Sequence, residues 1–204
     1  LRDGIPAYKG NKMQPGDMKY RDMNGDGKID DYDRTIIGCG QPLHTGGFSN
    51  NFTWKNFDLN IFFAWSYGND ILNANRLIFE SGWKSQTNQL ASYANRWTPS
   101  NPTSDTPRAA ATGSEEYSSR VIEDGSFLRL KNVSLGYTVP SRQLRKAGIS
   151  SLRLYVSADN IWTWTNYSGP DPEVSTRNSV LTPGFDWSAY PRAYGFTAGV
   201  NITF

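Results

Sequence analysis

From Phe57 to Tyr67 the chain alternates at every position. Phe57, Leu59, Ile61, Phe63, Trp65 and Tyr67 fall on one side, and Asp58, Asn60, Ala64 and Ser66 fall on the other, with Phe62 as the one large apolar exception. A side-chain period of two makes this a β-strand with one greasy and one largely polar face. The stretch before it alternates too, with Phe48, Phe52 and Trp54 against Ser49, Asn51 and Thr53. The short Lys55-Asn56 turn between them predicts a hairpin. Strand character returns over Phe127 to Val139. There Val133, Leu135 and Tyr137 share one phase, while Leu128 and Leu130 keep the other. This predicts either a bulge near Lys131 or Asn132 or a strand buried on both sides in its first half. Leu152 to Trp164 and Tyr194 to Phe204 alternate in the same way, giving about five antiparallel strands and an all-β fold.

The connections are unequal. Residues 1–45 are polar and turn-rich, and form one region; residues 46–204 carry the strands and form the other. Within the second region, 68–125 is long and irregular, with helical pieces predicted near Ile71–Ser81 and Gln89–Arg96 and a Pro/Ser/Thr/Asn tract from Pro99 to Pro107. Pro140 to Ser151 is a basic turn with Arg142, Arg145 and Lys146. Tyr167 to Arg192 is a long loop with four prolines. A soluble β-sandwich also has one-sided strands, but seldom such long structureless connections. Short turns at one end, long loops at the other, apolar-out alternation and aromatics near strand ends are the pattern of a membrane β-barrel. Trp54, Trp65, Tyr67, Tyr137, Trp162 and Trp164 supply those aromatics as an interfacial girdle. Five strands cannot close a barrel, so either the chain is a piece of a larger one or the barrel reading fails.

Composition narrows the picture without changing it. The chain has 204 residues, 14% aromatic and 20% charged, with a mean hydropathy of −0.59. Disordered chains lack such aromatic content. The longest apolar run, Ile61 to Trp65, is far short of the roughly 20 residues of a spanning helix. A net charge of +2 gives no electrostatic case for a nucleic-acid partner. One cysteine and one histidine build neither a disulfide nor a zinc site.

One stretch has metal-ligand spacing. Asp22, Asn24, Asp26 and Asp33 occupy positions 1, 3, 5 and 12 of a calcium-type loop. Lys28 offers its backbone carbonyl, Asp30 stands at the water-bridged position, Gly27 at the sharp turn, and Ile29 faces inward. Hard dications need six or more oxygens, and a cation relieves repulsion among the four aspartates. Asp33 is shorter than the usual glutamate. The expected ligand is a structural Ca2+ that rigidifies the loop; the bland alternative is a metal-free Asn/Asp/Gly turn.

Four motifs carry a family resemblance. They are Pro15-Gly16-Asp17-Met18-Lys19-Tyr20 leading into Asp22–Asp30; Asp33-Arg34-Thr35-Ile36-Ile37-Gly38; Gly125 to Tyr137; and Ala158-Asp159-Asn160-Ile161-Trp162-Thr163-Trp164 with Gly169-Pro170-Asp171-Pro172-Glu173, closing on Gly199–Phe204. In these the chain resembles the C-terminal end of SusC/RagA-type TonB-linked outer-membrane transporters. The resemblance implies the closing strands of a 22-stranded barrel in the bacterial outer membrane, in contact with its lipid. It implies a SusD-like surface lipoprotein as partner, a TonB complex acting through a plug absent from this chain, and an oligosaccharide or peptide as cargo. It places Phe204 at the periplasmic side as an assembly signal, and the long loops outside.

Lumen-facing positions are then Asp58, Asn60, Arg153 and Asp159, with Arg129 and Lys131 left open by the phase break. Loop aromatics such as Trp83, Tyr93, Trp97, Tyr117, Phe185, Trp187 and Tyr190 either pack their loops or stack on ligand rings. Asp171 and Glu173 read as a loop-structuring pair rather than as glycosidase carboxylates, and no nucleophile motif is present, so no catalytic role is expected. The rival function is a soluble, calcium-stabilised β-sandwich that binds carbohydrate.

Overall fold

A computed structural model describes residues 7–83, 86–144, 148–176, 179 and 181–204. The strands in chain order are β1 (His44–Trp54), β2 (Phe57–Tyr67), β3 (Asp70–Asn73), β4 (Ile122–Asp124), β5 (Phe127–Thr138), β6 (Ser151–Thr165), β7 (Phe185–Asp186) and β8 (Gly195–Thr203). The five long ones form one antiparallel sheet in the order β1-β2-β5-β6-β8, matching the five alternating stretches of the sequence.

The phase conflict in β5 resolves as a bulge. Phe62 pairs with Asn132 and Phe63 with Leu130, so Lys131 is the extra residue. It turns Leu128 and Leu130 onto the face already occupied by Val133, Leu135 and Tyr137. β6 adds one residue more than β5 and so two relative to β2, since Leu130 faces Trp162 while Asn132 faces Asp159. An insertion of two preserves the side-chain phase, and Trp162 and Ala158 stay on one face. Asn160 takes the left-handed backbone there, at φ 53°, a conformation that asparagine tolerates, and its side-chain amide donates to the Ala193 carbonyl at 3.0 Å.

The pairings also fix where the connections leave. His44 lies opposite Tyr67, Ser66 opposite Phe127 and Phe127 opposite Thr165. The segments before β1, between β2 and β5 and between β6 and β8 therefore depart from one end of the sheet. The 55–56 turn and the 139–150 connection, with a short helix at Ser141–Leu144, lie at the other. Arg145 and Lys146 of the basic turn are outside the described residues.

Contacts divide the chain into two compact units, which do not follow a linear division at residue 45. One is the wall, Gln41–Asp70, Asp124–Val174 and Ala189–Phe204; the other gathers Leu1–Gly40, Ile71–Glu123 and Ser175–Ser188. In the second unit β3, β4 and β7 form a small sheet ordered β4-β3-β7. Its buried residues include Ile71, Ala74, Ala111 and Val121, and a cluster of Tyr8, Met13 and Ile29 against Tyr20. The helix expected over Ile71–Ser81 is confined to Asn75–Phe79. The residues before it are claimed by pairing with β7: the Leu72 N–H donates to the Gly184 carbonyl at 2.8 Å and the Ala74 N–H to that of Asp186 at 3.0 Å. The piece near Gln89–Arg96 is a 3-10 turn at Ala91–Asn95.

Glu80 anchors this unit. It is 3% exposed and accepts from Arg76 at 2.9 Å, Arg120 at 2.8 Å and Ser92 at 2.6 Å. Burial alone would raise its pKa, but Ser92 and the two guanidinium groups hold it below the usual glutamate value.

Candidate functional site

One face of the five-stranded sheet is apolar and uncovered. Register places Phe48, Phe63, Leu130 and Trp162 in one row across it, and Leu135, Val156 and Ala198 in another. Val156 is 53% exposed and Val200 58%. A soluble sandwich buries such positions against a second sheet; here no described residue covers them. Aromatics mark both ends. Trp54, Phe57 and Tyr137 stack along the turn end, with ring centroids 6.4 and 4.7 Å apart. At the loop end Tyr67 stacks on His44 at 5.1 Å, and the Trp65 indole N–H donates to His44 at 3.1 Å. Trp162 and Trp164 continue that belt, opposite Leu130 and Leu128. All six aromatics expected of a girdle thus share the apolar face. The 11 residues of β2 suffice for a tilted membrane strand of about 9–11 residues. No described helix is long and apolar enough to cross a membrane.

The opposite face is a hydrogen-bonded polar surface. Asn60 donates to Asn51 at 2.6 Å and Ser49 at 3.3 Å, and Asn132 donates to Asp159 at 2.7 Å. Arg153 grips Asp58 with two nitrogens, at 2.5 and 3.2 Å. The four positions expected to face a lumen, Asp58, Asn60, Arg153 and Asp159, all lie here.

Arg129 belongs to this face as well, and it is 2% exposed. It donates to Asp171 at 2.5 Å and lies 3.5 Å from Glu173. Lys131, displaced by the bulge, reaches Glu173 at 3.1 Å, and Arg192 does so at 2.9 Å. Asp171 also accepts the backbone N–H of Glu173 at 2.8 Å and of Arg192 at 3.0 Å. Burial would raise the Asp171 carboxyl; the Arg129 guanidinium and these two amides outweigh it and hold the pKa below the usual aspartate value. The loop-structuring role read for Asp171 and Glu173 is what the contacts describe. Their partners on β5 and at Arg192 carried no sequence signal beyond complementary charge.

In the 22–33 loop every expected side-chain ligand caps a backbone amide. Asp22 accepts from Gly25 at 2.6 Å and Gly27 at 2.8 Å, Asn24 from Asp26 at 2.9 Å, and Asp26 from Lys28 at 2.8 Å. Asp30 accepts from Tyr32 at 2.9 Å. Asp33 accepts from Asp30 and Met23, both at 2.8 Å, and these amides lower its pKa. Gly27 has φ 79°, the left-handed conformation that favours glycine, and Ile29 is buried as expected. Lys28 is exposed. Among the described residues no three Asp, Glu, His or Cys side chains converge closely enough to hold a metal. The oxygen-only residue types and their spacing along the sequence are those of a hard-cation loop, and a carboxylate oxygen that accepts one N–H keeps a further lone pair.

The loop aromatics divide between packing and surface. Trp97 lies over Gly16 and Phe185 is part of β7. Trp83, Tyr117 and Trp187 border a cleft of about 320 Å³ with Leu77 and Ile78. Tyr190 is exposed.

A sheet with one uncovered apolar face, two aromatic belts, a polar opposite face and long connections that all leave from one end has the pattern of an outer-membrane β-barrel wall. No family model matches the chain. It is 42% identical over 207 aligned residues to TonB-dependent receptor P3 of Formosa agariphila, covering 99% of this chain and 20% of that protein. It is 28% identical to TonB-dependent receptor SusC of Bacteroides thetaiotaomicron, over 94% of this chain and 18% of SusC. Among solved structures, the RagAB peptide importer superposes in its 'open-open' state with a TM-score of 0.71 and 31% identity over 83% of this chain, and in its 'closed-closed' state with 0.73 and 30% over 89%. These alignments take in 18% and 20% of that importer chain. Over almost its whole length the chain is thus similar to TonB-dependent receptors, SusC among them, and to the RagAB importer. It spans about one fifth of the length of the curated relatives it matches.

Proposed function

We propose that this chain is the C-terminal barrel segment of a TonB-dependent outer-membrane transporter that imports oligosaccharides or peptides. The observation that carries the reading is the sheet with two unlike faces. Leu135, Val156 and Val200 are uncovered on one side, and the Asp58–Arg153 pair lies on the other. A protein wall between hydrocarbon and a hydrated lumen needs both. The segment contributes wall and loops; it has no catalytic role, and energy reaches the transporter from a TonB complex through a plug encoded elsewhere in the protein. A SusD-like surface lipoprotein caps the lumen and delivers the cargo. The names of the relatives SusC and RagAB support that partnership.

In the same reading the 22–33 loop takes up Ca2+, held by Asp22, Asn24, Asp26, Asp33 and the Lys28 carbonyl, with Asp30 through water. The ion stiffens an extracellular loop and performs no chemistry. The spacing and the oxygen-only donor set support this.

Affinity purification of the full-length receptor from its native membrane tests the assignment. The reading predicts a stoichiometric lipoprotein partner, and a gene deletion that abolishes growth on one class of oligosaccharide or peptide. Growth unchanged on all such sources, with no partner recovered, contradicts it.

A further inference from the structure

The connection between β6 and β8 is not uniform along its length. Its first stretch is built into the wall. Tyr167 is 6% exposed and Asp171 4%, and Pro172 is buried beside it. Pro170 and Pro172 each fix one backbone torsion, so little chain entropy opposes the bound shape. Thr165 donates its hydroxyl to the Ser126 carbonyl at 2.9 Å, and the Tyr167 N–H returns to the Thr165 hydroxyl at 3.1 Å. Arg129, Lys131 and Arg192 then close on Asp171 and Glu173. Arg129 and Lys131 belong to β5, whereas Arg192 comes from the far end of the same connection. The cluster therefore ties both roots of one long loop to the polar face of a strand that neither root adjoins in sequence. Contact division gives the same boundary, because residues through Val174 group with the wall and the next residues do not.

We propose that Tyr167–Val174 is a fixed strap. It is part of the barrel wall, and it narrows the lumen on this side. Removing Asp171 strands a buried guanidinium, which is the costly way to break such a pair. The strap consequently stays seated while the receptor works, and the cargo meets it as a static edge whose exposed member is Arg192, with Lys131 half-buried behind it. The inference rests on this face being the lumen side. Its test reads backbone protection rather than uptake, so a receptor that imported nothing would leave it standing.

Amide hydrogen exchange on the full-length receptor in detergent decides it. In the unaltered receptor, peptides covering 167–174 should exchange at least tenfold slower than the unprotected rate for the same sequence, in step with β5 and β6. In Asp171→Asn that protection should fall at least tenfold while β5 and β6 keep theirs, and the exchanged pair Arg129→Asp with Asp171→Arg should restore part of it. If Asp171→Asn fails to yield a folded barrel, Glu173→Gln serves instead, because it weakens the Lys131 and Arg192 pairs and the longer Arg129 contact but leaves the Arg129–Asp171 bond, and should loosen 173–174 alone. Unprotected exchange at 167–174 in the unaltered receptor overturns the strap, as does protection that survives both substitutions.

Discussion

Arg153 reaches Asp58 by passing over Gly136, which lies between them on β5. A Cβ at Gly136 would collide with the Asp58 carboxylate and with the Arg153 guanidinium. Glycine is therefore the floor of an ion pair that joins three strands across the polar face. The pair is about one-third exposed, at 34% and 41% for the two side chains, so its net worth is about 0.2–1 kcal/mol. Gly136→Ala should displace the pair and cost about that much. Asp58→Asn in the Gly136→Ala background should then cost almost nothing more, since the interaction is already gone. Urea unfolding of the receptor in lipid vesicles checks this, and additive losses would show that the two sites are independent.

The uncovered face sets a sharper contrast. Val156→Arg puts a charge among Leu135, Ala198 and lipid, and should destabilise the barrel by about 2–4 kcal/mol, the usual cost at the bilayer midplane. Ser157→Arg, one residue along, enters the polar face and should cost less than about 1 kcal/mol. The same vesicle unfolding measures both; equal costs would mean that both faces meet the same solvent.

Strap stability should depend on pH in one direction. The Asp171 pKa is lower folded than unfolded, where it takes the ordinary value near 4. Its contribution is fully present above that value and is lost as pH falls through the lower folded one. Exchange at 167–174, corrected for its intrinsic pH dependence, should be flat from about pH 5 to 8 and accelerate in acid. Asp171→Asn should lack the acid limb.

Calcium should bind the intact receptor and raise the protease resistance of its 22–33 loop. Asp22→Asn together with Asp33→Asn should abolish the heat of binding in a calorimetric titration while leaving the barrel folded. No heat with the unaltered receptor would leave the loop as an amide-capped turn.

Legibility in the sequence tracked length and period. The five long strands are readable because each repeats its alternation many times, and the switch from Leu130 to Val133 shows a break of phase without choosing between a bulge and a strand buried on both sides. The small sheet was not readable. β7 has two residues and β3 four, too few for a period, and Leu72 meets Phe185 only after more than a hundred intervening residues. Ile71 to Ser81 reads as helical because its apolar spacing suits either state; pairing with Gly184 and Asp186 decides in favour of a strand for its first part. The strap shows the same limit. Asp171 and Glu173 were recognisable as loop-structuring, but nothing local to them pointed to Arg129, whose side chain lay at the phase break.

The size and location of the native protein test the barrel-segment assignment most directly. An antibody against residues 165–193, applied to fractionated cells, should find a single band several times larger than the 22.9 kDa of this chain. That band should lie in the outer membrane and be released only by detergent. A 22.9 kDa band that stays monodisperse in buffer without detergent would contradict the transporter and favour a soluble carbohydrate-binding domain.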